Sequence, residues 1–499
     1  MRFRGFIGPS YTLRSKAVDC QRCVNLYPEM DEMHTGKEQE VAALVSTPGL
    51  LLLTTLGTGP IRGIYASTTG TTLAVSGSQV YRLDSGSSWS GTLVGTIGTA
   101  SGAVSMADNG NQIILVDGPS GYIYDISAQT FTKISAEGFP GGNTVTFLDG
   151  FFIVNQQGSG KFFISGIYDG TSWDALDFAT AEGSPDNLVA VLANRTQLWL
   201  LGSQSAEIWV NSGGSDFPFL RAPGAFIQYG CVAPHSLVQL ENTIIWLGAD
   251  QKGQGIVYRA VGLEPQRIST HAVEYAIQSY GVDLSQAVAW TYQNFGHYFY
   301  CLSIPGADTT WCYDATTGLW HERTYTNSYG NQELHRAVCH AYAFSTHVVG
   351  DRENGNIYAL DEDTYTDNGT VIARERIAPH LTDELNRIFY HAFQLDVQAG
   401  TGLDQSTVYP PRGEGPPPPI DPVKVSGIDP QAMLRWSDDG GFTWSNEHWQ
   451  TIGQLGQRRT RVIWRRMGWS RDRVYWVRIT APVKVVLIGV EFDATVGTS

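Results

Sequence analysis

The stretch TTLAVSGSQVYRLD (71–84) sets the pattern on which the fold turns. An apolar run meets a Ser-Gly-Ser turn, and period-2 alternation then resumes as Gln79-Val80-Tyr81-Arg82-Leu83, the mark of a hairpin with one buried face. The same design recurs as NQIILVDGPSGYIYDIS (111–127), GFFIVNQQGSGKFFIS (150–165), TQLWLLGSQSAEIWV (196–210), NTIIWLGADQKGQGIVYRA (242–260), GHYFYCLSIPGADTTWCYD (296–314) and HVVGDRENGNIYALD (347–361). Its second-strand aromatics, Tyr81, Tyr124, Phe163, Trp209, Tyr258, Tyr313 and Tyr358, lie roughly 40 to 55 residues apart, the period of propeller blades. The pattern predicts an all-β chain with a β-propeller of seven blades, six remaining open because not every inner strand can be placed. A β-helix or tandem sandwiches share the composition but suit this period less well.

Composition agrees. Among 499 residues there are 55 Gly, 14 Trp, 23 Tyr and 20 Phe, with only 16% charged, a balance that favours short strands and tight turns over solvated helices. The length allows two or three domains. Residues 59–366 are assigned to the propeller. Residues 1–58 form a turn-rich N-terminal segment expected to pack with a C-terminal domain at 367–499. That domain reads as a small antiparallel β-sandwich, with strands near 389–398, 432–436, 461–464, 474–479 and 484–492, a short helix at 382–387 capped by Thr382, and a Pro-rich arm at 404–430 containing PPRGEGPPPP.

The formal net charge of −15 argues against a general nucleic-acid binder, although an acidic wall suits a conduit through which DNA must slide without sticking. Cys20, Cys23, Cys231, Cys301, Cys312 and Cys339 are too sparse for a disulfide scaffold and read as packed thiols in a cytoplasm. The N-terminus lacks the apolar run of a secretion signal, and no stretch reaches membrane-spanning length.

Motifs of chemistry reduce to turns. Gly158-Ser159-Gly160-Lys161 lacks the leading glycine of a phosphate loop. The histidines, His335 and His340 included, form no ligand pattern, and Asp361-Glu362-Asp363 lacks calcium-loop spacing. Ser437, Asp439, Gly441, Thr443 and Trp444 match the Asp-box S-x-D-x-G-x-T-W, a structural turn in which Asp439 accepts backbone N–H bonds, Gly441 takes positive φ and Trp444 anchors the hairpin. The box is common in sialidases, which makes a carbohydrate-binding or sialidase-like propeller the alternative reading. No carboxylate pair with assignable acid and nucleophile roles stands out, and no catalytic, cofactor-binding or metal-ligating residue is assigned. Eight arginines between Arg458 and Arg478, interleaved with Trp464, Trp469, Tyr475 and Trp476, suit either nucleic acid or the carboxylates of an adjoining subunit. The acidic remainder of the chain favours the subunit.

Taken in order, Arg14-Ser15, Asn25-Leu26-Tyr27-Pro28-Glu29, Thr47-Pro48-Gly49, Ser279-Tyr280-Gly281, Phe299-Tyr300, Trp311-x-Tyr313-Asp314, Trp320, Leu434-x-Trp436-Ser437-x-Asp439-Gly440 and Arg465-Arg466-Met467-Gly468 resemble the packaged-DNA stabilisation proteins, or tail hub (nozzle) proteins, of P22-like short-tailed bacteriophages. The resemblance implies a non-enzymatic virion protein, assembled in the host cytoplasm. It implies a homohexameric ring that docks below the portal and its head-to-tail adaptor, closes the head on packaged DNA, carries tailspikes or tail fibres, and forms an ejection channel sealed by a needle or plug. Double-stranded DNA would pass without sequence recognition, and no small-molecule substrate or cofactor is implied. Arg14, Asn25, Tyr27, Arg459, Arg461, Arg465 and Arg466 are the expected assembly interface.

Overall fold

The structure, a computed structural model, describes residues 2–3, 5–33, 40–181, 183–214, 216–249, 253–384, 386–404 and 427–497. Most of the Pro-rich arm, 405–426, therefore lies outside the described residues. The repeats resolve into seven blades, each an antiparallel meander. Blade 1 runs Ile61–Ala66, Thr72–Ser76, Gln79–Ser85 and Trp89–Thr96, and blades 2 to 6 occupy 105–133, 145–180, 188–227, 230–267 and 288–326. Blade 7 takes three strands from 337–361 and its outermost from Gly49–Thr55, which pairs antiparallel with Asn356–Asp361. Each of the seven aromatics that set the period sits on the third strand of its blade.

Alternation explains why the ring coheres. Neighbouring residues of a strand face opposite sides, so Ile113 packs toward blade 1 while Ile114 packs toward blade 3. Seven apolar clusters result, one at each blade–blade interface, the last joining Val348 and Ile357 of blade 7 to Ile61 and Ala74 of blade 1. Ring closure leaves no blade with an uncovered face. Between blades 5 and 6 stands the one α-helix of the described residues, His271–Ser279, whose N-cap Thr270 accepts from the Val273 N–H.

Both terminal regions build the sandwich. One sheet contains Cys20–Val24, Arg374–Ile377, Asp472–Ile479, Gln431–Ser437 and His448–Thr451; the other contains Leu26–Met30, Val41–Ser46, Val486–Val496, Ile388–Val397 and Val462–Arg465. Phe393, Leu395, Leu434, Tyr475, Val477 and Leu487 fill the space between them.

Two expectations need correction. The boundary at residue 58 falls too late, because Gly49–Thr55 is hydrogen-bonded into the propeller while the strands before it belong to the sandwich. A Cβ at Gly49 would meet the carbonyl oxygen of Thr364 at 2.2 Å, so this crossing point accepts no side chain. The helix at 382–387 is not formed among its described residues: Leu381–Thr382 pairs with the strand Asp472–Ile479, and a turn closes with the Asn386 N–H donating to the Asp383 carbonyl. Thr382 hydrogen-bonds a strand here and caps nothing, tertiary pairing having overridden a short local signal.

Candidate assembly interface

The two domains share one hydrogen-bonded sheet. Cys20–Val24 pairs antiparallel with Arg374–Ile377 on one side and, through Val24 and Glu322, parallel with the outermost strand of blade 6 on the other. The joint is polar and buried. Arg376 donates to the carbonyls of Gly5, Phe6, Pro9 and Arg22 and to Gln21 Oε1, and stapling five acceptors fixes the whole N-terminal segment. Burial pulls its pKa down to about 10, which still leaves the guanidinium charged near neutrality. Arg22 meets Glu322 at 2.5 Å, Arg478 meets Glu375 at 3.2 Å, and Arg374 donates to the carbonyls of Ala481 and Tyr365. Asp367 sits beside this cluster, its carboxyl pushed up to about 7 by burial.

Asn25 and Tyr27, expected at a subunit interface, belong to this joint. Asn25 is 1% exposed and holds φ 54°. Its side chain donates to Thr324 Oγ1 and the Ala373 carbonyl and accepts from the Thr324 N–H, linking blade 6 to the strand that enters the sandwich. Tyr27 is 5% exposed and packs edge-on against His297 and Phe299. Neither presents a side chain to a neighbouring molecule. Arg14 is exposed, with its guanidinium 5.9 Å from the Tyr275 ring on the lone helix.

The arginine run divides. Arg473 is buried, forked onto Asp438 at 2.6 and 2.8 Å and stacked over Tyr390 and Trp436. Arg458, Arg459, Arg461, Arg465 and Arg466 are exposed along or beside Val462–Arg465, an edge strand paired only to Ile388–Val397. Arg461 reaches Gln394 Oε1; the other four form no ion pair among the described residues. Beside them Trp469, 50% exposed, lies under Arg387 at 4.7 Å. This is an unpaired sheet edge carrying positive charge and an aromatic ring, the residue types of interface cores.

The Asp-box is a turn packed on the bridging strand. Ser437 Oγ accepts from the Gly441 N–H, while Asp439 accepts from the Phe442 and Thr443 N–H groups and the Thr443 hydroxyl, which hold its carboxyl down at about 2. Gly441, at φ 87°, lies where a Cβ would meet Cys20 Sγ at 3.1 Å, and Trp444 packs edge-on against Trp476. Nearby His380 is held up at about 9, first by its hydrogen bond with Cys20, then by the Lys16 carbonyl and Asp472.

Charge separates by domain. Residues 59–366 contain 12 Lys and Arg against 27 Asp and Glu, which accounts for the entire net −15; residues 1–58 balance six against six, and 367–499 fifteen against fifteen. The channel along the propeller axis is a cavity of about 640 Å³ lined by the inner strands of the blades, including Ile61, Val104, Val145, Val191, Val238 and Val288. Among the described residues no carboxylate lines it. Two arginines line it: Arg62 is consumed by the carbonyls of Gly77, Thr99, Ser101 and Gly102, and Arg352 donates to the Leu334 carbonyl and pairs with Glu353 at 2.7 Å. The sequence reading did not find Arg22, Arg323, Arg374 and Arg376; the alternating Arg374-Glu375-Arg376 ahead of Ile377 is the signal that could have marked a charged strand.

A propeller whose last blade is closed by the N-terminal region, continuous with a two-sheet sandwich, defines a β-propeller–β-sandwich protein. Two family models match it in that order: the bacteriophage P22 Gp10 β-propeller over residues 20–365 and the bacteriophage P22 Gp10 β-sandwich over residues 373–495. The chain belongs to this family of phage structural proteins. No curated protein matches it. Among solved structures it is similar to the WD40 β-propeller domain of Doa1 (12% identity, TM-score 0.40, covering 63% of this chain and 98% of that one). The Myceliophthora thermophila Cps50 (Swd1) β-propeller domain matches at 9% identity and TM-score 0.40 over 62% of this chain and 98% of that one. The extracellular domain of a putative hybrid two-component system from B. thetaiotaomicron matches at 10% and 0.42 over 67% and 40%.

Proposed function

We propose that this chain is the hub, or nozzle, of a short phage tail: a homohexameric ring that docks below the portal–adaptor complex, retains packaged DNA, carries tailspikes or fibres, and encloses the path by which DNA leaves past a terminal needle or plug. The separation of charge carries the reading. A neutral sandwich with an exposed arginine edge and a propeller holding the whole net charge are complementary between copies, so a cyclic head-to-tail contact is electrostatically favoured. The propeller's own channel, filled from all sides by apolar inner strands, is far too narrow for a duplex, so the conduit runs between copies. An acidic propeller beside it offers DNA no phosphate grip. Arg14 and the four arginines Arg459, Arg461, Arg465 and Arg466 are the side chains of this reading that remain exposed.

Electron microscopy of the full chain, alone and mixed with its adaptor, tests it. Rings are expected from the wild type, and replacing the four edge arginines by Ser should abolish them while leaving the melting temperature of the single chain essentially unchanged. Rings that persist in that variant move the interface elsewhere. A wild type that never forms rings and instead turns over glycans overturns the proposal.

A further inference from the structure

The outermost strand of blade 3, Asp169–Thr180, is the longest strand among the described residues at 12 residues, and it does not stay on its partner. Phe178 lies opposite Phe163 and Trp173 opposite Ser165, so five steps of the outer strand span two of the inner one and the excess is thrown out as a bulge. Its residues are Asp174-Ala175-Leu176-Asp177, with Leu176 81% exposed. Both ends are anchored. Trp173 is buried edge-on to Phe139 at 5.0 Å with its indole N–H on the Gly170 carbonyl, and Phe178 packs on Phe163 at 5.3 Å. Asp174 Oδ1 accepts from the Leu176 N–H at 2.9 Å and closes the turn from within. A Cβ at Gly138 would meet the Trp173 carbonyl oxygen and the Ala175 nitrogen at 2.5 Å, so the segment leading into blade 3 braces the bulge and brings the exposed Glu137 beside it. The result is a preformed knob, a leucine flanked by carboxylates, in which Asp174 and Asp177 have no ion-pair partner among the described residues.

No other outermost strand of the ring has an excess of acid. Trp89–Thr96 and Gly49–Thr55 are uncharged, Thr130–Lys133 and Phe219–Ile227 each carry one base, Glu264–Arg267 balances one against one, and Glu322 of Leu319–Thr326 is engaged by Arg22. Blade 3 also stands opposite the sandwich. The sandwich meets the ring at blade 6, where Val24 pairs with Glu322, and at blade 7, where Gly49–Thr55 follows directly on Val41–Ser46; in a closed ring of seven, blade 3 is three places from either. Within the sandwich, Leu26–Met30 borders blade 6 through Tyr27, and Val462–Arg465 ends the same sheet at its other edge. Knob and arginine edge therefore lie at opposite ends of one subunit, where they can meet only between copies.

We infer that the knob at 174–177 of one copy docks on the edge at 462–469 of the next, Leu176 seating on the Trp469 ring while Glu137, Asp174 and Asp177 face Arg459, Arg465 and Arg466. The inference rests on the hub reading and supplies the partner of its arginine edge. A contact between opposite ends of a subunit is heterologous, the kind that closes into rings. Its centre is apolar and aromatic and its rim is charged, the usual anatomy of a specific interface. Because the bulge breaks the regular edge, the contact is made by side chains and not by indiscriminate strand pairing.

The test uses the full chain, with rings scored by electron microscopy and sedimentation. Asp174→Arg with Asp177→Arg should abolish rings, as should Arg465→Asp with Arg466→Asp, and the chain carrying all four changes should regain them, since each knob again meets an edge of opposite sign. Asp174 closes the turn of the knob, so a second measurement leaves it in place. A benzophenone amino acid in place of Leu176, irradiated in assembled rings, should cross-link to the Trp469 peptide of another copy, read by gel mobility and mass spectrometry. Rings that survive either reversal, a fourfold variant that stays monomeric, or cross-links that fall elsewhere overturn this inference and leave the hub reading standing; a wild type without rings overturns both.

Discussion

The propeller and the joint beside it are held by opposite means. Each blade interface is an apolar cluster, contributed by two sequence neighbours except where blade 7 meets blade 1, whereas the joint buries Arg323, Arg374, Arg376, Glu322, Glu375 and Asp367 among strands drawn from three distant parts of the chain. An apolar interface tolerates the loss of a methyl group because its neighbours relax toward the gap. A buried guanidinium with five acceptors has no such latitude, since removing it takes the donor from all five at once and leaves the buried Phe6 carbonyl without it. The difference teaches where the molecule is brittle.

Arg376→Ala tests that difference at its largest. A loss of about 3–5 kcal/mol is expected in the sandwich transition, with amide hydrogen exchange rising through residues 5–24 while blades 2 to 4 keep their protection. Uniform loss of protection would mean the two regions unfold as one. Asn25→Ala should cost about 2–3 kcal/mol, removing three buried hydrogen bonds and placing Ala at φ 54°; Asn25→Gly, which accepts that backbone, should recover part of it in urea titrations. Ile114→Val, in the cluster between blades 2 and 3, should cost about 1 kcal/mol, confined by exchange to those blades. The smallest effect is set by pH. His380 has a folded pKa of about 9, above the ordinary value near 6.5, so its contribution is complete below about pH 6.5 and fades as pH rises through 9. The urea midpoint of the sandwich should fall between pH 6 and pH 9.5, and His380→Gln should flatten that slope.

The propeller was legible because its signal is local: a hairpin needs only its own fifteen or so residues to show alternation, turn and aromatic. Uncertainty over a sixth or seventh blade has a physical source in blade 5, whose inner edge is broken into Gly230–Cys231, a 3₁₀ turn at Pro234–Ser236 and Val238–Leu240. The joint was not legible because its partners lie about 300 residues apart, as Arg22 and Glu322 do. A buried asparagine at positive φ reads in sequence like any loop asparagine, which is why Asn25 was assigned to a surface. The arginine run could be recognised as a whole but not divided, since burying Arg473 and exposing Arg465 depends on which strand faces the opposite sheet. Gly49–Thr55 looked terminal because nothing in GLLLLTT reveals that its partner is Asn356–Asp361.

That closing strand also imposes a schedule on synthesis. Gly49–Thr55 leaves the ribosome early, yet the strand that pairs with it ends at Asp361, and the strand that covers Val41–Ser46 comes only with Val486–Val496. At roughly 5–20 residues per second, the ring waits on the order of 15–60 s for its closing strand to find a partner, and the sandwich waits longer still. During that interval the nascent chain carries open strand edges at its leading end. The sandwich can therefore present a finished surface only after Val486–Val496 has been made, so its folding follows that of the propeller.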